Sequence, residues 1–531
     1  MVIPLEYFPP VMFGGLVVFM IIGYPVAFSL AAVGLSFGFL AIDFGYFTWP
    51  FLQAIPGRVF GSILSNELLL AIPFFTFMGA VLEKCGLAED MLESMGQLFG
   101  PVRGGLGYST IIVGFILGAI TGTVAAQVIA MALITLPVMM RHRYDMRYAT
   151  GVLAASGTIT QLVPPSLVLI VLADQLGKSV GDMYLGAWGP SLLQIALFAA
   201  YTLYLSIAKP QAVPAVPRTL KGTPLLIKCA WGIIPSAVLI FLVLGTIMMG
   251  LATPTEAGAM GTVGAVVLAV VRNAPLTRFD KAMFWGGCAA AVVGTTIGFW
   301  AFGSPLFRAV FTVMFAAIVW LCWRAWQHRA LRTLIVQAFE TTMRITAMVA
   351  FILVGATCFS ITFQGVDGSR WVESMLTSLP GGVWGFLVVV NLFVFFLAFF
   401  LDFFEIAFII VPMLAPVAQK MLAPVVGADA ALIWFGVMLC VNMQTSFMHP
   451  PFGFALFYLR SIAPKEVKST DIYWGSIPWV LLQMVMVLIV IAVPYSVTVF
   501  LDAPSTVDPT KIHIEVPQQP DEDNGPPVFG K

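Results

Sequence analysis

Charge is what this chain has least of. Only 10% of its 531 residues are charged, 26 basic against 26 acidic, so the formal net charge is zero. A soluble domain carries roughly a quarter of its residues as charges, which excludes an ordinary soluble protein, and the balanced sign offers no basic surface for nucleic acid. Cysteine is sparse as well. The six (Cys85, Cys229, Cys288, Cys322, Cys358 and Cys440) lie in or beside apolar segments with no C-x-x-C pairing, unlike a disulfide framework or a thiolate metal site. No G-x-x-x-x-G-K-[ST] stretch is present, which argues against a nucleotide-driven pump. There is no nucleophile elbow and no intramembrane His/Asp/Glu cluster at metal-ligand spacing, so the chain reads as a non-enzyme with no organic cofactor. The opening MVIPLEYFPP lacks the basic n-region of a cleavable signal peptide, so the first apolar span is expected to stay.

What the chain has in excess is apolar surface: 60% hydrophobic residues and a mean hydropathy of +0.97. Stretches of about 20 residues, long enough to cross a bilayer as helices, recur at 11–22, 25–42, 64–83, 147–173, 190–207, 229–251, 255–271, 282–302, 306–326, 342–364, 431–459 and 476–500. This predicts an all-α polytopic membrane protein with about 12 spans. Two further blocks, 105–140 and 383–417, are too long for one crossing and break at AITGTVAAQ (119–127) and FLDFFEIA (400–407). Each is expected to form a re-entrant hairpin. Placing the N-terminus outside puts 19 of the 26 Lys and Arg in cytoplasmic loops, as the positive-inside rule requires. Both termini are then periplasmic. Arg103, Arg141, Arg143 and Arg147 flank the first hairpin and Lys420 alone the second, so the hairpins enter from opposite faces.

The second half echoes the first. GYPVAFSLAAVG (23–34) parallels LATPTEAGAMGTVG (251–264), and CGLAEDMLESM (85–95) parallels QGVDGSRWVESM (364–375). Each is followed by a broken apolar block and then by a polar run ending in Pro-Pro: SGTITQLVPPS (156–166) and NMQTSFMHPPFG (442–453). Aligning Pro164 with Pro450 pairs Thr158 with Gln444 and Thr160 with Ser446. The expected domains are a first repeat (1–207), a linker (208–228), an inverted second repeat (229–500) with a two-helix insertion at 275–330, and an acidic, proline-rich tail (501–531) expected to be disordered. Inverted repeats with discontinuous helices point to a secondary transporter whose site lies between the repeats.

Backbone unwinds at membrane depth only where its polar groups face protein or a cavity, and proline frees a carbonyl one turn back. A small hard cation takes several oxygen ligands of this kind. The first set of candidates is Thr121, Gly122 and Thr123 with Ser156, Gly157, Thr158, Thr160 and Gln161. The second is Asp402 with Asn442, Gln444, Thr445 and Ser446. Within these, Thr121, Thr123, Gly157 and Thr158 form one cation site, and Asp402, Gln444 and Thr445 a mirror-related second, with an anionic substrate between. A single Thr in a membrane helix most often bonds its own backbone; the functional reading rests on four clusters in matching order. Asp402 and Glu405 are carboxylates in a deeply apolar block, where such groups are by default functional. Glu256 after Pro254 is expected to cap a helix. His449 is either proton-sensitive or a hydrogen-bonded structural residue, Arg141, His142, Arg143 and Arg147 are topological anchors, and WRAWQHRALR (323–332) is expected to lie at the interface.

GYPVAF, AIPFFTFMGAVLEKCGLAEDM, ATGVLAASGTITQLVPPS, GLATPTEAGA, FFLDFFEIAFIIVP and QTSFMHPPFGFALFYLR together resemble the large membrane (permease) subunit of tripartite ATP-independent periplasmic (TRAP) transporters over about residues 5–500. The LDFFEIAF and PPFGFALFYLR wording resembles the mannitol/chloroaromatic branch. The resemblance implies Na+-coupled import of a small organic acid by an elevator motion in the bacterial inner membrane, with Na+ as coupling ion. It also implies a periplasmic substrate-binding protein and a small four-helix membrane subunit, here a separate chain. His449 stands where the family's wording has Thr. The alternative is a stand-alone elevator-type anion transporter that uses no binding protein.

Overall fold

The computed structural model describes residues 4–121, 123–218, 220–301, 304–399, 401–450 and 453–501, and every regular element among them is helical. The longer ones in the first half are α1 (Phe8–Ile22), α2 (Val26–Asp43), α3 (Ala71–Lys84), α4 (Leu87–Phe99), α5 (Gly105–Thr121), α6 (Val124–Arg141), α7 (Met146–Thr158), α8 (Leu167–Leu176) and α9 (Val180–Ala208). Next come α10 (Thr223–Met248), α11 (Pro254–Asn273), α12 (Arg278–Ala301), α13 (Pro305–Gln327), α14 (Arg329–Gly365), α15 (Gly368–Thr377) and α16 (Gly382–Leu397). The chain finishes with α17 (Phe403–Val426), α18 (Ala428–Met443), α19 (Phe454–Ile462) and α20 (Ser469–Ala492). Ten of these are long and apolar enough to cross a membrane, or up to 12 if the pairs α3–α4, bent by 59°, and α15–α16, bent by 120°, each count as one span. The tail from 502 and Gly122 lie outside the described residues.

Local chemistry sets the helix ends. Asp145 accepts from the Arg147 amide at 2.8 Å to start α7, and Ser166 accepts from the Val168 amide at 3.1 Å to start α8. Each satisfies an amide that the first turn leaves without a partner. Thr253 and Glu256 form a reciprocal capping box at α11, at 3.3 and 2.8 Å, which is the capping role expected of Glu256. α1 closes on Gly23, whose φ of 91° a side chain would disfavour.

Packing partners recur in exchanged order between the halves. α2 packs on α14 while α11 packs on α3; α7 packs on α20 while α18 packs on α9. Likewise α8 lies on α18 and α17, and α19 lies on α7 and α6. These contacts pair helices of residues 8–208 with helices of residues 223–492. The α2–α14 seam is tight because it is lined by glycine: a β-carbon on Gly34 would stand 2.6 Å from the Cys358 carbonyl carbon, and one on Gly355 would strike the Ala27 carbonyl.

The 275–330 insertion is the pair α12–α13, packed on α11 and α14. Only 11% of the apolar window of α13 is buried, against 89% for α18, so the insertion is peripheral and α18 central. The segment 323–332 is not a separate interfacial helix. It is divided at His328 between the end of α13 and the start of α14, a 37-residue helix. At 1.5 Å per residue that helix is about 55 Å long, beyond the roughly 30 Å of hydrocarbon, so it exceeds a single crossing. CGLAEDMLESM and its echo, read from sequence only as matching motifs, become the amphipathic arms α4 and α15.

Candidate functional site

Both polar runs unwind where proline makes them. α7 passes into a 3-10 turn over Ile159–Gln161 and restarts as α8 beyond Pro164 and Pro165, which are joined by a cis peptide. α18 passes into a 3-10 turn over Gln444–Phe447 and restarts at Phe454 as α19. The hydroxyls follow one pattern. Thr160 Oγ1 lies 2.8 Å from the Gly157 carbonyl oxygen, and its counterpart Ser446 Oγ donates to the Met443 carbonyl at 2.7 Å. Thr158 donates to Ala155 O at 2.9 Å and Thr445 to Asn442 O at 2.7 Å. Each hydroxyl caps the carbonyl three residues back, where tightening from α to 3-10 brings it within reach.

The two segments meet. Ser156, Thr158, Thr160, Gln161, Asn442, Gln444, Thr445 and Ser446 are all buried. Cys440 Sγ reaches the Gln161 carbonyl at 3.2 Å, and Thr158 Oγ1 lies 3.7 Å from Met448 Sδ. Gln483, on α20, spans the seam: its Nε2 donates to Thr158 Oγ1 at 2.8 Å and approaches Gln444 Oε1 at 3.5 Å. Thr158 and Gln444 are the pair that the Pro164–Pro450 alignment equates.

The hairpins lock onto these segments. α5 and α6 pack side by side, and Gln127 on α6 donates to Gly114 O at 2.6 Å and Ser156 O at 3.1 Å while accepting from Thr160 Oγ1. Glycine permits the approach: β-carbons on Gly114 and Gly118 would stand 2.8 Å from the Ser156 carbonyl oxygen and 3.0 Å from Thr160 Cα. At the second hairpin Asn442 Nδ2 donates to the Asn391 carbonyl at 2.8 Å and its Oδ1 at 3.1 Å, tying α18 to α16. Asp402 starts α17 as an N-cap. Its Oδ1 accepts from the Glu405 amide at 2.9 Å and Glu405 Oε2 accepts from the Asp402 amide at 3.0 Å, so both carboxylates serve one helix start. The Phe403 and Phe447 rings lie 6.1 Å apart, tilted by 34°, which brings this start beside the second polar run. His449 is clasped by Phe399, with ring centroids 4.0 Å apart, and Phe395, at 4.5 Å. Thr123 precedes α6 and is half-buried; the Thr121 side chain and Gly122 lie outside the described residues.

Ser156 Oγ, both amide atoms of Gln161, Asn442 Oδ1, Gln444 Nε2 and Gln483 Oε1 are buried without a protein hydrogen-bond partner. Leaving one such group unsatisfied costs about 1–3 kcal/mol, so these six atoms give the seam unused capacity to bind a polar partner. The donors are neutral carbonyl, amide and hydroxyl groups with one carboxylate pair alongside. Among the described residues no three His, Cys, Asp or Glu gather to hold a metal. Neutral oxygens suit a weakly charged hard cation. Gln127, Asn391 and Gln483 were not candidates from sequence: each is a lone amide in an apolar helix, and only the aligned halves give a signal, the LLQ at 192–194 recurring at 481–483.

Residues 13–496 match the model of the family described as the tripartite ATP-independent periplasmic transporter, DctM component. The chain is 26% identical over 483 residues to the C4-dicarboxylate TRAP transporter large permease protein DctM of Vibrio cholerae, covering 90% of this chain and 93% of that one. It is 26% identical over 430 residues to its namesake from Pseudomonas aeruginosa, covering 80% and 84%. It is 24% identical over 481 residues to the 2,3-diketo-L-gulonate TRAP transporter large permease protein YiaN of Escherichia coli, covering 89% and 94%. With a family model spanning nearly all of its helical part, the chain belongs to the DctM component family of tripartite ATP-independent periplasmic transporters.

Proposed function

We propose that this multi-pass inner-membrane chain imports a small organic acid, a 2-oxo acid, hydroxy acid or related carboxylate, by Na+ symport. The acid is delivered by a periplasmic binding protein, and a small four-helix membrane subunit completes the complex. Relatives named for C4-dicarboxylates and 2,3-diketo-L-gulonate support an acidic cargo. The observation that carries the reading is the seam itself: two mirror-related unwound segments, joined by Gln483, surrounded by buried polar atoms without protein partners. Na+ is assigned to Thr121, Thr123, Gly157 and Thr158 on one side and to Asp402, Gln444 and Thr445 on the other, with the carboxylate cargo between. Gly122, Ser156, Thr160, Gln161, Asn442 and Ser446 complete the lining.

An elevator motion, in which the site-bearing helices slide as a body against the rest, suits the packing. The face between α5, the Pro164 break and α9 on one side and α10 on the other encloses about 570 Å³ lined by Phe115, Trp188, Ile233 and Phe241 with other apolar residues. Such a face slides without breaking hydrogen bonds. The test is uptake by proteoliposomes carrying this chain and its small subunit, with a panel of 2-oxo acids, hydroxy acids and dicarboxylates, with and without Na+ and the binding protein. Uptake that needs Na+ and the binding protein supports the proposal. Uptake with Na+ but no binding protein favours the stand-alone reading, and Na+-independent uptake refutes the symport.

A further inference from the structure

Two glutamines stand on mirror-related helices. Leu192-Leu193-Gln194 lies on α9 and Leu481-Leu482-Gln483 on α20, each the first long helix after an unwound segment. Both glutamines are fully buried. Gln483 holds Thr158 and Gln444, whereas both polar atoms of the Gln194 amide lack a protein partner. The position of Gln194 is fixed by its neighbours on one face of α9: Ser191 Oγ, which donates to Ala187 O at 2.7 Å, lies 3.2 Å from the Leu162 carbonyl oxygen in the first break, and the Phe198 ring packs on Trp479 at 5.0 Å. Gln194 therefore lies between the first unwound segment and α20. Near this contact the chain runs antiparallel, since Gly189 abuts Ser496 while Phe198 abuts Trp479. Gln194 is one turn back from Phe198 and Gln483 one turn on from Trp479, so the two glutamines stand on the same side of that ring contact.

We infer that Gln194 and Gln483 belong to the buried site, and that Gln483 couples its two cation-binding segments. The inference rests on the proposed Na+ binding and extends it to residues outside the unwound runs. The amide group of Gln483 offers two protons, one for the Thr158 hydroxyl and one for the Gln444 carbonyl, so each segment is positioned by a group that also positions the other. A cation drawing on Thr158 reorients this amide and thereby changes what Gln444 presents. Gln194 supplies a free amide oxygen to the same zone, where a cation or its remaining water takes it as a ligand.

The experiment is an NaCl titration of the purified full chain in detergent, ionic strength held with choline chloride, read by tryptophan fluorescence and by binding of radioactive Na+. Melting in choline chloride alone provides the folding control. Gln194→Leu removes two unsatisfied buried polar atoms, so melting should hold or rise, yet the NaCl midpoint should rise at least about fivefold, the low end of typical coupling between sites. Thr158→Val and Gln444→Leu should shift the midpoint non-multiplicatively with Gln483 present and multiplicatively with Gln483→Leu. Should Gln483→Leu not fold, Gln483→Asn, one methylene too short to span the seam, should show the same loss of coupling. A responsive wild-type chain whose midpoint ignores Gln194→Leu and whose coupling survives at Gln483 overturns this inference alone. A wild-type chain that NaCl leaves unperturbed overturns the Na+ reading, and this inference with it.

Discussion

Replacing Gln127 by Leu is the sharpest probe of how the first hairpin is held. Gln127 joins three elements: it donates to Gly114 O on α5 and Ser156 O on α7, and accepts from Thr160 in the unwound run. Hydrogen bonds inside membrane proteins average about 0.6 kcal/mol each, so losing three costs about 2 kcal/mol. That is roughly a 30-fold increase in local opening, at about 1.4 kcal/mol per factor of ten. The loss is local because α10 and α11 take no part in these bonds. Hydrogen exchange by mass spectrometry on the chain in nanodiscs reads it directly. Peptides from 151–166 should exchange about 30-fold faster, with those from α11 unchanged. A local change below about threefold, or the same acceleration in α11, would refute the view that Gln127 specifically fastens the hairpin to the unwound helix.

Other perturbations separate roles that the structure superimposes. Asp402→Asn keeps an acceptor for the Glu405 amide, so melting should hold while Na+-dependent uptake weakens; Asp402→Ala should lose about 1 kcal/mol from the lost cap as well. Unchanged Na+ dependence in Asp402→Asn would leave that residue a cap and nothing more. Gly34→Leu should destabilise by about 1–3 kcal/mol or more because its side chain meets the Cys358 backbone at 2.6 Å, and a melting temperature equal to wild type in detergent would contradict the glycine seam. Asn66 Nδ2 donates to Asp174 Oδ1 at 2.7 Å, tying the loop before α3 to the end of α8. Cysteines at both positions, bridged by a short thiol crosslinker, should arrest uptake until reduced, whereas uptake surviving full crosslinking would speak against a sliding motion there. For topology, Lys221→Cys should resist an impermeant maleimide on whole spheroplasts and Lys178→Cys should react; the reverse pattern inverts the assigned orientation.

The breaks were legible because they violate a rule the rest of the chain obeys. Pro164-Pro165 and Pro450-Pro451 each pair two prolines, a heavier burden on a helix than the single prolines α9, α10 and α20 carry inside them, and polar runs beside them in apolar surroundings need a reason. The carboxylates at 402 and 405 were visible for the same cause, but not their geometry: the D-F-F-E spacing is that of a capping box, and the hydrophobic surroundings obscured it. The amides stayed hidden. Gln127, Asn391 and Gln483 are single polar residues in apolar helices, and what they touch lies up to 325 positions away in sequence. Spans were found by hydropathy, but α4 and α15 have charges on one face, so a hydropathy window passes over them although a helical period of apolar residues runs through both.

The composition of the seam bears on how a coupled importer returns empty. On the proposed function the same pocket is traversed twice, once with cation and organic anion and once without. A cage of carboxylates would bind Na+ well, but when empty it would hold uncompensated charge, which costs several kcal/mol per ion in a low-dielectric interior. Unpartnered amides and hydroxyls cost about 1–3 kcal/mol each, and a few waters relieve that. Loaded, a cation and a carboxylate largely cancel. The seam follows this logic: its unpartnered atoms belong to Ser156, Gln161, Asn442, Gln444 and Gln483, while the carboxylates at 402 and 405 are each engaged by a backbone amide. With Asp402 the one charged group among the proposed ligands, the neutral majority keeps the difference between loaded and empty states small enough for both to move, and most of the burden of binding falls on the number of oxygens gathered rather than on fixed charge.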